Sequence, residues 1–187
     1  MGEWQMNLPN KLTLLRVCLI PVFLILYPYH IFGGSEISRY AALAVFVIAS
    51  LTDFLDGYIA RSRNLITNFG KLMDPMADKL LVAAALIAMV QAAALPAWVV
   101  IIIISREFLI TGFRMLALER GVVIAASPIA KFKTASQFVM IILILLGFIP
   151  GIILWVVIAA AVVLAVVSAI DYIIKNKDVM SEEAAKR

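Results

Sequence analysis

Four aspartates, Asp53, Asp56, Asp74 and Asp78, fall within 26 residues of a chain in which only 15% of residues are charged. They are set in the pattern D-x2-D-G-x2-A-R-x8-G-x3-D-x3-D, whose other fixed positions are Gly57, Ala60, Arg61 and Gly70. The first pair closes a long apolar run, where ionised groups are expensive. Carboxylates gathered this closely repel one another unless something cationic sits among them. Hard divalent cations prefer oxygen ligands, and two of them would neutralise four carboxylates. The pattern points to a two-metal site at the edge of a membrane.

The spacing suits that chemistry. Asp53 and Asp56 are three apart, which puts them on one face of a helix, and Ala60 lies on nearly the same face. Gly57 and Ala60 are small enough to let a bulky ligand approach the backbone. Asp74 and Asp78 are four apart, again one helical face, so facing pairs from two antiparallel helices would make a four-carboxylate cage. Arg61 and Gly70 are expected in the connection between those helices, suited to phosphate contact and close backbone approach. Asp74 and Asp78 also have a structural reading, as an N-cap and a first-turn acid favoured by the helix dipole. Asp53 and Asp56 do not, because they sit near a helix C-terminus, where the dipole disfavours negative charge.

The elements that must hold these residues are apolar throughout. The chain has 187 residues, 64% of them hydrophobic, with mean hydropathy +1.05. Soluble domains run near half apolar, so the composition reads as an integral membrane protein. The expected fold is all-α and polytopic, with six transmembrane helices at about 11–29, 38–61, 75–95, 96–120, 128–147 and 151–174. Asp74-Pro75, Pro96 and Ser127-Pro128 supply helix starts. With both termini cytoplasmic, every Lys and Arg except Arg39 falls at or toward the cytoplasmic side. Residues 1–5 read as a dispensable start ahead of Met6, 6–175 as one six-helix membrane domain, and 176–187 as a polar cytoplasmic tail. The net charge of +4 is assigned to this loop bias and to anionic ligands, not to nucleic acid. The single cysteine, Cys18, excludes an internal disulfide and is expected to be a packed thiol.

A second set of polar residues lies downstream. Arg106 falls about 15 Å into the fourth helix, close to mid-bilayer, where an arginine is costly and usually functional. Glu107, Thr111 and Arg114 share one face, and Glu107 is read as an internal partner for an arginine. Lys131 and Lys133 open the fifth helix, where an N-terminus attracts anions. Arg106, Arg114, Lys131 and Lys133 are therefore candidates for a second phosphate site, which argues for a phosphorylated acceptor. Ordinary cytoplasmic anchoring accounts equally well for Lys131 and Lys133. Asn10, Thr13 and Arg16 recur on one face of the first helix. His30, Trp98 and Trp155 read as interfacial residues, and Asp171 as the ion-pair partner of Lys175.

The aspartate pattern resembles the signature of the CDP-alcohol phosphotransferase family, with every defining position filled. The segments Asn7–Arg16, Ser105–Phe108, Thr111–Arg114 and Lys131–Ala135 resemble its bacterial phosphatidylglycerophosphate-forming branch. The resemblance implies phosphatidyl transfer from CDP-diacylglycerol to sn-glycerol 3-phosphate, with CMP leaving, at the cytoplasmic face of a bacterial cell membrane. It implies two divalent cations, Mg²⁺ or Mn²⁺, held by Asp53, Asp56 and Asp74. Asp78 would be the general base and also touch a metal. Gly57, Ala60, Arg61 and Gly70 would border the cytidine nucleotide, with Asn10 and Thr13 in reach of it, and the protein would be a homodimer among membrane lipids. The same chemistry with inositol phosphate as acceptor is the nearest alternative. A cation transporter is disfavoured, because the acids cluster at one end and no internal repeat is evident.

Overall fold

A computed structural model describes residues 8–27, 35–62, 68–119, 124 and 128–176; within its helices, the side chains of 8–11, 35, 53–62, 68–75, 78 and 128 lie outside that description. Six helices account for nearly all of it: α1 (Leu8–Leu26), α2 (Ser35–Ser62), α3 (Asn68–Gln91), α4 (Ala97–Glu119), α5 (Pro128–Leu146) and α6 (Gly151–Lys175). Among the described residues there is no strand. The segment Ile129–Leu146 of α5 and the whole of α6 are each long and apolar enough to cross a membrane. The expected positions of His30, the 176–187 tail beyond Asn176, and residues 1–5 lie outside the described residues.

Proline and glycine set the helix ends where the sequence places them in the second half. Pro96 directly precedes α4, Pro128 opens α5, and Pro150 caps α6 in an extended conformation, with its carbonyl accepting from the Leu154 N–H at 3.1 Å. Gly147 follows α5 with φ 74°, the left-handed geometry that a helix C-terminus commonly adopts. The start of the third helix differs from expectation. It begins at Asn68, so Asp74-Pro75 lies inside α3 and Asp74 is not its N-cap. A proline removes one helical N–H donor and disfavours the helical geometry before it, yet α3 continues through Pro75. Arg61 and Gly70 consequently lie on α2 and α3, not in a connection, and only five residues separate the two helices.

The chain forms two compact units, Met1–Ala94 and Leu95–Arg187. In the first, α1 packs against both α2 and α3, which also touch each other. The inward face of α2 is the stripe Ser38, Ala42, Phe46 and Ala49, all buried. Phe46 meets Phe23 of α1 with ring centroids 6.1 Å apart. Arg16 is fully buried and donates from Nε to the Ala49 carbonyl at 3.3 Å. Cys18, expected to be packed, is exposed on the outer side of α1; its distance in sequence from buried Thr13 and Arg16 puts it off their face.

In the second unit α4 and α5 each pack against α6. The buried residues of α6 are Ile158, Ala161, Ala165, Ser168 and Tyr172, spaced alternately three and four apart. That is the heptad-like seam of closely packed helices, and small residues along it let backbones approach. The rest of α6 presents Ile152, Trp155, Val156 and Val163 outward.

Helix α3 ends in a Schellman motif. Ala94 N–H donates to the Met89 carbonyl at 2.9 Å and Ala93 N–H to Val90 at 3.0 Å, with Ala93 at φ 55°. A residue with a Cβ pays a steric penalty in that conformation, which glycine avoids. Ala93→Gly is expected to stabilise the protein by about 1 kcal/mol, read as a raised thermal midpoint in detergent.

Candidate active site

The four aspartates are positioned by helix register. On α2, Asp53, Asp56, Gly57 and Ala60 continue the buried stripe of Ala42, Phe46 and Ala49, since each falls within about 60° of its direction at 100° per residue. On α3, Gly70, Asp74 and Asp78 occupy successive turns and lie in register with buried Ala77, Leu81, Ala85 and Ala88. This follows directly from the uninterrupted α3, which joins Gly70 to the two aspartates on one helical face. By helical spacing both acidic pairs fall in line with the buried rows of two helices that touch. Carboxylates at such positions would call for a compensating cation. The donor set is all oxygen, which fits Mg²⁺ or Mn²⁺ and not a soft metal. The four carboxylates themselves lie outside the described side chains, among which no group of three His, Cys, Asp or Glu residues stands together.

Helix α1 contributes at the same level. The Ala49 carbonyl that accepts from Arg16 also accepts from Thr52 Oγ1 at 2.7 Å, and it heads the turn that carries Asp53. Thr13, one turn before Arg16, is buried as well. Asn10, on the same face by register, has its side chain outside the described residues.

In the second unit three ionised side chains meet. Arg106, 8% exposed, donates from Nη1 to Glu107 Oε1 at 3.1 Å and from Nε to Ser168 Oγ on α6 at 3.1 Å. Lys133 of α5, 3% exposed, donates from Nζ to the same Glu107 oxygen. The third nitrogen of Arg106, Nη2, is buried without an acceptor, as is Nε2 of Gln137, one turn beyond Lys133 on α5. Ser168 passes its own proton to the Ala165 carbonyl at 3.0 Å, leaving its oxygen turned to the guanidinium. Two turns along α4, Arg114 lies over the Tyr172 ring at 5.6 Å and donates from Nε to the Tyr172 hydroxyl at 3.3 Å. Lys131 is exposed, about 200° around α5 from Lys133.

A family model for CDP-alcohol phosphatidyltransferase matches residues 6–170. The chain belongs to the CDP-alcohol phosphatidyltransferase family. That match runs through both compact units. The chain is 46% identical over 187 aligned positions to a CDP-diacylglycerol–glycerol-3-phosphate 3-phosphatidyltransferase of Bacillus subtilis, covering 91% of this chain and 95% of that one. It is 42% identical to a probable phosphatidylglycerophosphate synthase of Mycobacterium tuberculosis, over 89% of this chain and 80% of the relative. A CDP-diacylglycerol–glycerol-3-phosphate 3-phosphatidyltransferase of Rickettsia bellii is 40% identical over 75% of this chain and 76% of its own.

Of the four basic residues expected around a second phosphate, this family member brings Arg106 and Lys133 together through Glu107. Arg114 is occupied by Tyr172, about 12 Å further along α4, and Lys131 faces outward. Glu107 has the partner role read from the sequence, and Asp171 pairs with Lys175 at 2.6 Å. Ser168, Tyr172 and Gln137 were not legible as site residues. Their one signal is periodic: Ser168 and Tyr172 fall on the small-residue seam of α6, and Gln137 falls one turn after Lys133. Ser168→Ala would leave Arg106 Nε buried without an acceptor. It is expected to lower stability by about 1–3 kcal/mol, measured by thermal denaturation in detergent.

Proposed function

We propose that the chain transfers the phosphatidyl group of CDP-diacylglycerol to sn-glycerol 3-phosphate, giving phosphatidylglycerol phosphate and CMP. What supports this reading most is the family match over residues 6–170, within which Asp53, Asp56, Asp74 and Asp78 recur at helical spacing on α2 and α3. The acceptor is taken from the relatives, two of which are named for glycerol-3-phosphate. The reading includes six membrane spans, both termini and the active site on the cytoplasmic side of a bacterial cell membrane, and a homodimer.

Asp53, Asp56 and Asp74 are the proposed ligands of two divalent cations, with Asp78 beside them. Such ions, when bound, neutralise charge on the pyrophosphate and align it for in-line displacement. Gly57, Ala60 and Gly70 leave room for the nucleotide against the helix backbones, Arg61 meets its phosphates, and Asn10 and Thr13 approach from α1. Asp78 is the proposed base for the acceptor hydroxyl. A carboxylate beside metals is a weak base, so the proton transfer falls late, as the hydroxyl oxygen bonds to phosphorus. Arg106 and Lys133 are the core of the acceptor phosphate site, with Arg114 and Lys131 toward its approach. All of these side chains act by holding and orienting, which is where catalysis of phosphoryl-type transfer resides.

Purified protein supplied with CDP-diacylglycerol and Mg²⁺ or Mn²⁺ should release CMP with sn-glycerol 3-phosphate and not with inositol phosphate, serine or no acceptor. Release with a different acceptor would reassign the second substrate, and no release from folded, metal-supplied protein would remove the reading. Chelation should abolish turnover and re-addition of the cation restore it. Asp53→Asn is expected to lower kcat by roughly 100-fold or more. Asp78→Asn that retained turnover with intact metal binding would end the base assignment.

A further inference from the structure

The reaction leaves the acceptor's phosphate untouched. A bond forms between its hydroxyl oxygen and the phosphatidyl phosphorus, the P–O bond to CMP breaks, and the hydroxyl proton departs. The phosphate monoester is carried unchanged into the product. A basic site that grips the substrate by that group grips the product by it equally, and binding both alike does nothing for turnover. Something at the site must weaken the hold.

Glu107 has the geometry for that. Its Oε1 receives both Arg106 Nη1 and Lys133 Nζ, the position an anionic ligand oxygen would take between the two cations. Lys133 and Arg106 are almost completely buried, so water offers their charges little compensation. Arg106 nevertheless keeps Nη2 without an acceptor, and Gln137, one turn beyond Lys133 on α5, keeps Nε2 likewise, so two buried donors stand on the helices that carry the ion triad. The guanidinium is also anchored independently of Glu107, through Nε to Ser168. Arg106 can therefore hold its place when the carboxylate lets go.

Resting on the reading of Arg106 and Lys133 as the acceptor phosphate site, we infer that Glu107 is a tethered competitor for that phosphate: its carboxylate occupies the two cations in the empty site, yields them to the substrate, and retakes them to expel the product. A side chain fixed one residue from Arg106 competes at high effective concentration, without any contact to the reacting atoms. It sets affinity from the inside, weakening substrate and product together and so favouring release.

The test is a split between binding and turnover in the full-length protein. Glu107→Gln removes the charge and keeps the shape. It is expected to lower the acceptor KM, the inhibition constant of sulfate competing with glycerol 3-phosphate, and that of added phosphatidylglycerol phosphate, each roughly tenfold. Turnover at saturating acceptor should fall as product release slows. Glu107→Asp, still charged but one methylene shorter, should shift the same constants in the same direction by less, and it serves if the glutamine variant does not fold. Unchanged or raised constants in the folded variant would overturn the inference and make Glu107 a positioning residue for the two cations. Wild-type protein that releases CMP with glycerol 3-phosphate but is not competitively inhibited by sulfate would overturn it while leaving the reaction standing. Wild-type protein inactive with glycerol 3-phosphate would remove the reaction instead, and sulfate binding by calorimetry would still decide on Glu107, which must bind tighter as glutamine.

Discussion

An ionised side chain inside an apolar helical bundle must find its counter-charge or its hydrogen bonds among the bundle's own polar groups, because apolar surroundings supply neither. The two units of this chain meet that constraint in different ways. In the second, Glu107 receives both Arg106 and Lys133, and Arg106 also donates to Ser168 of α6. In the first, Arg16 turns its charge to a backbone carbonyl, while four aspartates occupy the inward register of two helices. Acids gathered at that spacing call for cationic partners. The second unit thus pairs its charges around Glu107 while Arg106 Nη2 still lacks an acceptor, and the first gathers acidic residues on two helices.

The apolar scaffold is arranged to make this possible. Small residues on α2 and α3, among them Ala42, Ala49, Ala77 and Ala85, carry the helices close to α1 and leave the larger contacts to Phe23, Phe46 and Leu81. The same economy of size on α6 puts Ser168 within reach of a guanidinium on α4. Close backbone approach, more than side-chain bulk, determines where the polar groups meet.

Much of this was legible in the residue order. The ends of α4, α5 and α6 follow from Pro96, Pro128, Gly147 and Pro150, because proline and glycine act through local backbone sterics that need no tertiary knowledge. The aspartates stand out in the residue order because charge at helical spacing has few structural explanations in an apolar run. Pro75 misled for the same reason that Pro96 informed: local sterics favour a helix start, and only the surrounding bundle decides that the helix continues through it. Ser168, Tyr172 and Gln137 were hidden, since an uncharged polar residue in a hydrophobic helix looks alike whether it faces a guanidinium or its own backbone. The division of labour between Lys131 and Lys133 depended on which side of α5 meets α4, a property of the assembled unit.

Helices α4 and α6 are joined by two arginine rungs, Arg106 to Ser168 and Arg114 to Tyr172, whose residue numbers rise together on both helices, so the two run in the same direction. A single rung would act as a pivot, about which α6 could swivel or slide. Two rungs at different heights behave as a pair of dowels: they fix both the rotation and the axial offset of one rod against the other. The consequence is an intolerance of frame changes that is separate from any loss of side-chain chemistry. Adding or deleting one residue between Ser168 and Tyr172 would turn the tyrosine about 100° away from Arg114 while every contacting residue type was still present in the chain.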